Sequence, residues 1–233
     1  MPEQGTIAII PARGGSKRLP RKNALSFNGR PIIEYTIDAA LQSECFDRVI
    51  VSSEDDEILE IAASTGVETD RRSKELGSDT ATVADVCSEF LQREAARGVL
   101  YDVLSALYAT APMRNADDIR ATMSLLVDES CKYAIAATRY SHYPHQALLL
   151  EDDQFVNPRW PELYKKRPAD LGSLLAGNGS TYCVRVEEFL SSGSFVGPNT
   201  RAHIMPMSRS FDIDTIEDFK LAESIHRLQN PAG

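Results

Sequence analysis

Residues 7–23 read IAIIPARGGSKRLPRKN and indicate a buried strand that runs directly into a basic loop. The apolar, partly β-branched residues 7–10 are typical of a strand that is covered on both faces. Pro11 ends this pattern, and Gly14 and Gly15 allow the following backbone to approach a ligand closely. Successive backbone N–H groups in such a turn form a concavity that can bind an anion. The stretch therefore predicts a strand followed by a phosphate-binding loop.

Five cations give this loop its charge: Arg13, Lys17, Arg18, Arg21 and Lys22. Such side chains attract phosphate groups over a distance and contact their oxygens directly. The spacing matches neither the Walker A motif nor the glycine fingerprint of dinucleotide-binding proteins. A solvated surface loop is the alternative, although a run of charges seldom follows a buried strand so abruptly. We therefore expect a phosphorylated ligand, with Arg13, Lys17 and Lys22 as the contacts to its phosphates.

The composition limits the possible functions. The chain has 233 residues and a net charge of −9, whereas a general nucleic-acid-binding protein is normally basic. A basic loop in an acidic chain instead favours the binding of one small anion. No apolar run approaches the ~20 residues of a membrane span, and residues 1–5 lack the pattern of a secretory signal. We therefore expect no nucleic-acid or membrane partner, and a cytoplasmic location.

The cysteines do not form a zinc motif. Cys45, Cys87, Cys131 and Cys183 are widely spaced and include no C-x-x-C pair. We expect them to be buried free thiols in a reducing compartment.

Extended and helical patterns alternate along the first half of the chain. Strands are predicted at residues 49–53, 102–108 and 133–138, and helices at residues 31–44, 55–65, 116–128 and from Thr80 or Thr82 onward. The first helix would bury Ile33, Ile37, Ala40 and Leu41. This order implies an α/β fold with parallel strands, and the length suits one domain over residues 1–233. In open sheets of this kind, ligands bind beyond the carboxyl ends of the strands.

The pattern changes after residue 139. Short extended pieces at residues 147–151 and 154–156, joined by Asp152-Asp153, predict a hairpin rather than another crossover. Residues 177–181 then read GNGST, which predicts a glycine-rich turn before a strand at residues 182–185.

We expect residues 140–176 to form an excursion from the main sheet. Trp160 and Tyr164 lie there among prolines, so this segment is predicted to bury apolar surface against a second copy of the chain in a twofold dimer. His142 and His145 could form a metal pair, but a polar surface role is favoured because both lie in a loop beside a proline.

Asp212 and Asp214 form a second informative site. If this segment is extended, residues two apart point the same way, so both carboxylates lie on one side and Ile213 faces the core. Such a pair repels itself unless a cation lies between the carboxylates, and Mg²⁺ suits two carboxylates with water and phosphate oxygens. The alternative, a helix-capping role, explains Asp214 but not Asp212. The helix that follows begins at Thr215, with Asp218 close to a capping box, and is predicted to bury Leu221, Ile225 and Leu228.

Several of these stretches resemble the CMP-sialic acid synthetases, or acylneuraminate cytidylyltransferases. IPARGGSK followed by R-K-N is similar to the opening motif of that family, and D-I-D-T at residues 212–215 matches its metal-binding motif. Residues 72–79 resemble the family motif R-P-x-x-L-A-x-D, with Ser73 in place of proline. Residues 108–114 resemble Q-P-T-S-P-L-R, with Tyr108 in place of glutamine, as in the pseudaminic acid branch. Ser180 and Thr181 depart from the Gln-Phe that is usual in that branch.

The resemblance implies a Rossmann-like nucleotidyltransferase fold with helices on both faces of the sheet. It implies a Mg²⁺-dependent enzyme that couples CTP to a nonulosonic sugar acid, and a homodimer in which the excursion completes the partner's sugar site. The implied nucleotide-binding residues are Ala12, Arg13, Gly14, Lys22, Asn23 and Arg72. The implied contacts to the sugar acid are Tyr108, Gln146, Arg167 and Tyr182. Asp212 and Asp214 would hold the metal.

Pseudaminic acid is the favoured substrate, ahead of N-acetylneuraminic and legionaminic acids. One alternative is transfer of the cytidylyl group to another acid, such as Kdo or a phosphonate. A different alternative is a catalytically silent nucleotide-binding protein, which the retained lysines and aspartates argue against. No side chain stands out as a general base.

Overall fold

The computed structural model describes residues 5–151 and 154–230. Residues 1–4, most of the segment that bears on a secretory signal, and the predicted Asp152-Asp153 connection lie outside these ranges. The strands are β1 (Gly5–Pro11), β2 (Ser26–Phe27), β3 (Arg30–Pro31), β4 (Arg48–Ser53), β5 (Glu68–Arg71), β6 (Tyr101–Leu107), β7 (Tyr133–Arg139), β8 (Leu148–Leu150), β9 (Val156–Pro158), β10 (Leu175–Arg185) and β11 (Thr200–Ile204). The helices are α1 (Ile32–Ser43), α2 (Asp56–Ser64), α3 (Val83–Ala96), α4 (Ala116–Ser124), α5 (Pro161–Tyr164), α6 (Val186–Ser192) and α7 (Ile216–Gln229).

The main sheet has the strand order β11-β7-β10-β6-β1-β4-β5. Strand β1 pairs in parallel with β4 and β6, β4 with β5, and β7 with β11. Only β10 is antiparallel to its neighbours β6 and β7 among the strands that the described residues contribute to this sheet. The prediction of a mostly parallel sheet is therefore confirmed, and the carboxyl ends of β1, β4, β6 and β7 meet at one edge.

Successive side chains of β1 point to opposite faces of the sheet, and helices pack against both faces. Ala8 and Ile10 pack in a cluster with residues of α1, α2 and α4, whereas Ile7 and Ile9 pack with residues of α3 and α6. Residues 7–10 are fully buried, as expected for a strand covered on both sides. Helices on both faces are therefore confirmed.

Helix starts follow the sequence signals closely. Thr82, not Thr80, caps α3 and forms a capping box with Asp85. Thr215 and Asp218 form the same arrangement at the start of α7. Reciprocal bonds of this kind satisfy backbone N–H groups that the first helical turn leaves free.

Some predicted buried positions are wrong. Leu41 of α1 is exposed, as are Leu221 and Leu228 of α7, and the face of α7 that packs inward carries Phe219 and Ala222. Helix α7 packs on a small cluster with Phe27 rather than on the sheet. This small cluster buries a narrower face of α7 than the helical spacing of its leucines predicts, so Leu221 and Leu228 stay exposed.

The structure contains elements that the sequence patterns did not predict, namely β5, α6 and β11. The predicted glycine turn at residues 177–181 is also wrong, because these residues lie within β10, where the register with β7 shifts between Gly177 and Tyr182. Strands β5 and β11 are short, partly exposed strands at the two edges of the sheet, so they lack a continuous apolar pattern.

The segment predicted as an excursion over residues 140–176 contains the predicted hairpin, but its last two residues, Leu175 and Ala176, pair with β7 as part of β10 in the main sheet. Strand β8 pairs with β9 in antiparallel fashion, and β9 begins at Val156, two residues later than predicted. Many of its large apolar side chains are exposed, including Leu150, Phe155 and Trp160.

Three cysteines, Cys87, Cys131 and Cys183, are buried free thiols, and Cys45 is half-buried. Burial raises the pKa of Cys183 to about 12, so this thiol stays protonated. Over the described ranges, none of the helices is both long and apolar enough to cross a membrane.

Candidate active site

A cleft of about 290 Å³ opens at the carboxyl edge of the sheet. It lies beyond the ends of β1 and β6, where an α/β sheet is expected to bind its ligand. Its lining includes seven of the residues that the sequence predicts: Arg13, Lys22, Asn23, Arg72, Tyr108, Asp212 and Asp214. The structure thus brings the basic loop and the aspartate pair together in one cavity.

Four of the five loop cations divide between two carboxylates, and the fifth, Arg21, pairs with Asp55 and Glu57 on α2 and its cap. Arg13 Nη1 lies 2.8 Å and Lys17 Nζ 2.5 Å from the carboxylate of Asp79. Lys22 Nζ lies 2.8 Å and Arg18 Nη2 2.7 Å from the carboxylate of Asp214. Lys17 projects to the surface with 82% of its side chain exposed, whereas the side chain of Lys22 is only 13% exposed. Lys22 is therefore the cation held most firmly in the cleft.

Glu54 ties the glycine loop to Arg72. Its Oε1 accepts a hydrogen bond of 2.8 Å from the Gly14 backbone N–H, and its Oε2 accepts two from the Arg72 guanidinium at 2.8 and 3.0 Å. The Gly14 N–H, which was expected to face a phosphate, therefore already donates its hydrogen bond to Glu54. Sequence reasoning did not single out Glu54, although a carboxylate directly after β4 and opposite a basic loop was an available signal.

Asn23 lies beneath the loop and is buried. Its side-chain amide donates to the Arg13 carbonyl at 3.0 Å, while its Oδ1 has no hydrogen-bond partner in the described part of the chain. A buried acceptor without a donor is costly, so this oxygen is suited to accept a hydrogen bond from a ligand. Ala12 is also buried, and its backbone N–H donates to the Ser52 carbonyl.

Asp212 and Asp214 flank Ile213, which is fully buried as predicted. The segment is not a strand; the Ile213 backbone N–H donates to the Thr110 carbonyl at 2.9 Å, and this bond holds the segment against the loop after β6. The Thr110 hydroxyl donates to Asp212 Oδ1 at 2.6 Å. Thr110 was not among the predicted site residues.

The two carboxylates differ in their electrostatics. Asp212 is exposed to the cleft, but the protein around it removes part of its hydration, which raises its pKa, and the charge of Asp214 raises it further. The same desolvation acts on Asp214, but hydrogen bonds and charge from Lys22 and Arg18 outweigh it and lower its pKa. Asp212 forms no ion pair among the residues that the structure describes, so a negative charge remains without compensation in the cleft.

This donor set fits a divalent cation of the Mg²⁺ type. Within residues 5–151 and 154–230 there is no group of three or more His, Cys, Asp or Glu side chains placed to hold a metal. Two carboxylates leave room for water and phosphate oxygens, which Mg²⁺ characteristically keeps as ligands. The uncompensated charge of Asp212 is the feature that a cation would offset.

Tyr108 lines the cleft, whereas the predicted sugar contact Tyr182 does not line it and packs against the Tyr108 ring. Their ring centroids lie 5.4 Å apart, and Tyr182 also contacts Phe195. Burial raises the pKa of both tyrosines, so their hydroxyls remain protonated at neutral pH.

Two predicted sugar contacts lie elsewhere. Gln146 is exposed in the excursion, and Arg167 is exposed and paired with Asp170 at 3.0 Å. Neither lines the cleft of its own chain. The surface role expected for His145 is wrong: it is buried, with neither ring nitrogen hydrogen-bonded within the described residues.

The model of the cytidylyltransferase family matches residues 7–151. The chain is 33% identical over 228 residues to pseudaminic acid cytidylyltransferase of Campylobacter jejuni subsp. jejuni serotype O:2, covering 97% of this chain and 98% of that protein. It is 33% identical over 225 residues to N-acylneuraminate cytidylyltransferase of Escherichia coli O18:K1:H7, covering 96% of this chain and 52% of that protein. Among solved structures, CMP:2-keto-3-deoxy-manno-octonic acid synthetase complexed with CTP has a TM-score of 0.70 at 20% identity, over 97% of this chain and 100% of that one, which shows a shared fold. The chain is a nucleotidyltransferase and belongs to the cytidylyltransferase family.

Proposed function

We propose that this enzyme couples CTP to a nonulosonic sugar acid and releases pyrophosphate, with Mg²⁺ as cofactor. The observation that carries the proposal is the meeting of the basic loop and the aspartate pair in one cleft, with Lys22 Nζ 2.8 Å from Asp214 Oδ1. A nucleoside triphosphate and a metal need these two groups side by side. CTP is available in the cytoplasm, which is the location we propose.

In the proposed reaction, a hydroxyl oxygen of the sugar acid attacks the α-phosphorus of CTP. The bond from that phosphorus to the bridging oxygen breaks, pyrophosphate departs with that oxygen, and the hydroxyl proton passes to water. Arg13, Lys17 and Lys22 hold the triphosphate in line and offset the charge of the leaving group. Mg²⁺ bound by Asp212 and Asp214 would draw charge from the phosphate oxygens.

We assign the cytidine portion to the floor of the cleft. The Oδ1 of Asn23, which has no hydrogen-bond partner within the described residues, is proposed to accept a hydrogen bond from the nucleotide, and Arg72 lines the same cleft. Ala12 and Gly14 are assigned to the nucleotide site by the family resemblance alone, because neither lines the cleft and the Gly14 N–H is bonded to Glu54.

Tyr108 and Tyr182 are proposed to contact the sugar acid from the same chain. Tyr108 stands where the sialic acid branch has glutamine, and it replaces an amide with a protonated, half-buried phenol. This exchange favours pseudaminic acid over N-acetylneuraminic and legionaminic acids. Kdo or a phosphonate would be the alternative acceptors.

The remaining sugar contacts come from a second copy of the chain. Because Gln146 and Arg167 lie in the excursion, outside the cleft of their own chain, we propose that Gln146 of the partner subunit and Arg167 of the partner subunit complete the site. Large apolar side chains exposed in the excursion supply the surface for this dimer: Tyr140, Tyr143, Leu149, Leu150, Phe155, Val156 and Trp160.

Pyrophosphate release tests the function directly. With CTP, Mg²⁺ and a panel of pseudaminic, N-acetylneuraminic and legionaminic acids and Kdo, we expect the fastest release with pseudaminic acid. Replacement of CTP by ATP, GTP or UTP serves as the control. No release with any acid would reject the activity, and faster release with another acid would reject only the substrate.

Lys22→Ala should lower kcat/KM for CTP by roughly 10- to 100-fold, because a charge-assisted hydrogen bond to phosphate is worth about 1.5–3 kcal/mol. Steady-state kinetics would measure this, and thermal unfolding would confirm that the variant is folded. Lys220→Ala, at an exposed position of α7, is the matched control. A folded Lys22→Ala variant with the parent's CTP kinetics would remove Lys22 from the site.

Asp212→Asn should lower kcat by about 10²–10³-fold, the scale of losing one electrostatic catalytic group. Because the folded protein raises the pKa of Asp212, the ionised side chain lowers the free energy of unfolding at neutral pH. The metal-free variant should therefore be as stable as the parent or more stable, as judged by urea unfolding. Asp102→Asn, at an exposed position of β6, is the control. Full activity of Asp212→Asn at saturating Mg²⁺ would contradict the metal role.

The dimer is tested by light scattering coupled to size-exclusion chromatography. We expect the parent to elute at twice the mass of the chain, and Phe155→Asp, which places a charge on the exposed apolar surface, to shift it toward monomer and lose activity with the sugar acid. Leu190→Asp places the same charge on exposed surface of α6, outside the excursion, and should remain dimeric. An active monomer would refute the shared site.

A further inference from the structure

The aspartates of the cleft lie on a segment with little regular structure. Between the end of β11 and the start of α7, the backbone forms one short 3-10 turn, Met207–Arg209. Such a segment needs side-chain contacts to hold Asp212 and Asp214 in register with the basic loop. The position of the metal site therefore depends on what anchors residues 205–214.

One of these anchors is a two-bond ion pair between Arg209 and Asp118. Arg209 Nε donates to Asp118 Oδ2 at 3.0 Å, and Nη2 donates to Oδ1 at 2.8 Å. This two-bond geometry fixes the orientation of the guanidinium as well as its distance. Arg209 lies three residues before Asp212, so fixing its side chain restricts the path of the backbone that leads to Asp212.

Asp118 is itself rigidly placed. Its side chain is 1% exposed, and its Oδ2 accepts the Asn115 backbone N–H in the capping box at the start of α4. Its Oδ1 also lies 3.1 Å from His203 Nε2. Burial alone raises the pKa of Asp118, but hydrogen bonds from Arg209 and His203 outweigh it, so the carboxylate stays ionised.

The connection that leads from β6 into α4 makes a second contact with the aspartate segment. Thr110 accepts the Ile213 N–H through its carbonyl and donates its hydroxyl to Asp212. Thr110 and Asp118 therefore hold the segment at two points, one at the metal site and one three residues earlier. Asp118 does not line the cleft, and within the described residues no hydrogen bond joins it to Asp212 or Asp214.

We propose that Asp118 is a positioning residue that sets the geometry of the Asp212–Asp214 pair by holding Arg209. The proposal rests on the metal role in the proposed function. It places part of the control of metal affinity in a buried ion pair outside the cleft. Loss of a group that hydrogen-bonds directly to a metal ligand typically weakens metal binding by about 10- to 100-fold, and this ion pair lies one step further from the ligands.

Mn²⁺ binding to the whole protein, followed by electron paramagnetic resonance, tests this independently of activity. Asp118→Asn should weaken Mn²⁺ binding by about tenfold, the lower end of the range for direct partners of a ligand, and so should Arg209→Gln, which leaves the capping box of α4 intact. The apparent Mg²⁺ requirement of the reaction should rise by the same factor, while KM for CTP at saturating Mg²⁺ stays within about threefold of the parent. Asp117→Asn is the matched control, because Asp117 is the exposed neighbour of Asp118 in the same helical turn and makes its ion pair with Arg120.

Thermal unfolding separates positioning from folding. If Asp118→Asn or Arg209→Gln melts lower but binds Mn²⁺ like the parent when folded, the residue is only structural and the inference fails. If Asp118→Asn does not fold, the Mn²⁺ affinity of Arg209→Gln tests the inference: weakened binding supports it, and binding equal to the parent's rejects it. Asp212→Asn distinguishes the two proposals: if the parent does not bind Mn²⁺, or Asp212→Asn binds it equally well, the metal role itself is wrong and the inference falls with it.

Discussion

The contact between Lys22 and Asp214 joins the two parts of the chain that form the cleft. The residues lie 192 positions apart, and Lys22 Nζ is 2.8 Å from Asp214 Oδ1. Since the Lys22 side chain is only 13% exposed, water screens this attraction less than it screens a surface pair. The loop after β1 and the segment before α7 are thereby held face to face. The rest of the site is arranged around this junction, with Arg72 and Glu54 below the loop and Thr110 beside the aspartates.

The antiparallel strand β10 makes the room that the aspartates need. Its amino-terminal half reaches the same edge as the carboxyl ends of β6 and β7, and its register with β7 is interrupted there. Gly179 lies in this interruption with φ of +67°, a conformation that favours glycine, and a Cβ at this position would collide with the carboxylate of Asp212. Asn178 next to it donates to the Ser210 hydroxyl at 3.1 Å. The interrupted part of β10 thus packs against the segment that carries Asp212 and Asp214.

Local patterns in the sequence predicted the parts of the fold whose cause is local. The apolar run at residues 7–10, the capping residues and the D-I-D pair each depend on near neighbours, and the structure has a strand, helix starts and adjacent carboxylates at these places. The glycine turn was wrong because a GNGST sequence fits a turn equally well, whereas the structure has these residues as an irregular stretch inside β10, between its two paired halves. Leu221 and Leu228 have the correct helical spacing, but the small cluster beneath α7 cannot cover them. Glu54 and Asp118 were missed because their partners, Arg72 and Arg209, lie far along the chain.

The internal carboxylates also determine how the basic loop can meet a triphosphate. Each cation of the loop that lines the cleft already has an acidic partner, so a ligand must exchange partners rather than meet free charges. Arg13 and Lys17 pair with Asp79 at the surface, where such pairs contribute about 0–1 kcal/mol and separate easily. Lys22 is held more deeply, by an aspartate that would itself face the metal. Arg13 and Lys17 therefore exchange partners most easily, whereas Lys22 can share its three N–H donors between Asp214 and a phosphate oxygen. The ion pairs with Asp79 and Asp214 thus hold the loop cations in place before a ligand binds, and the exposed pairs can separate when a triphosphate arrives.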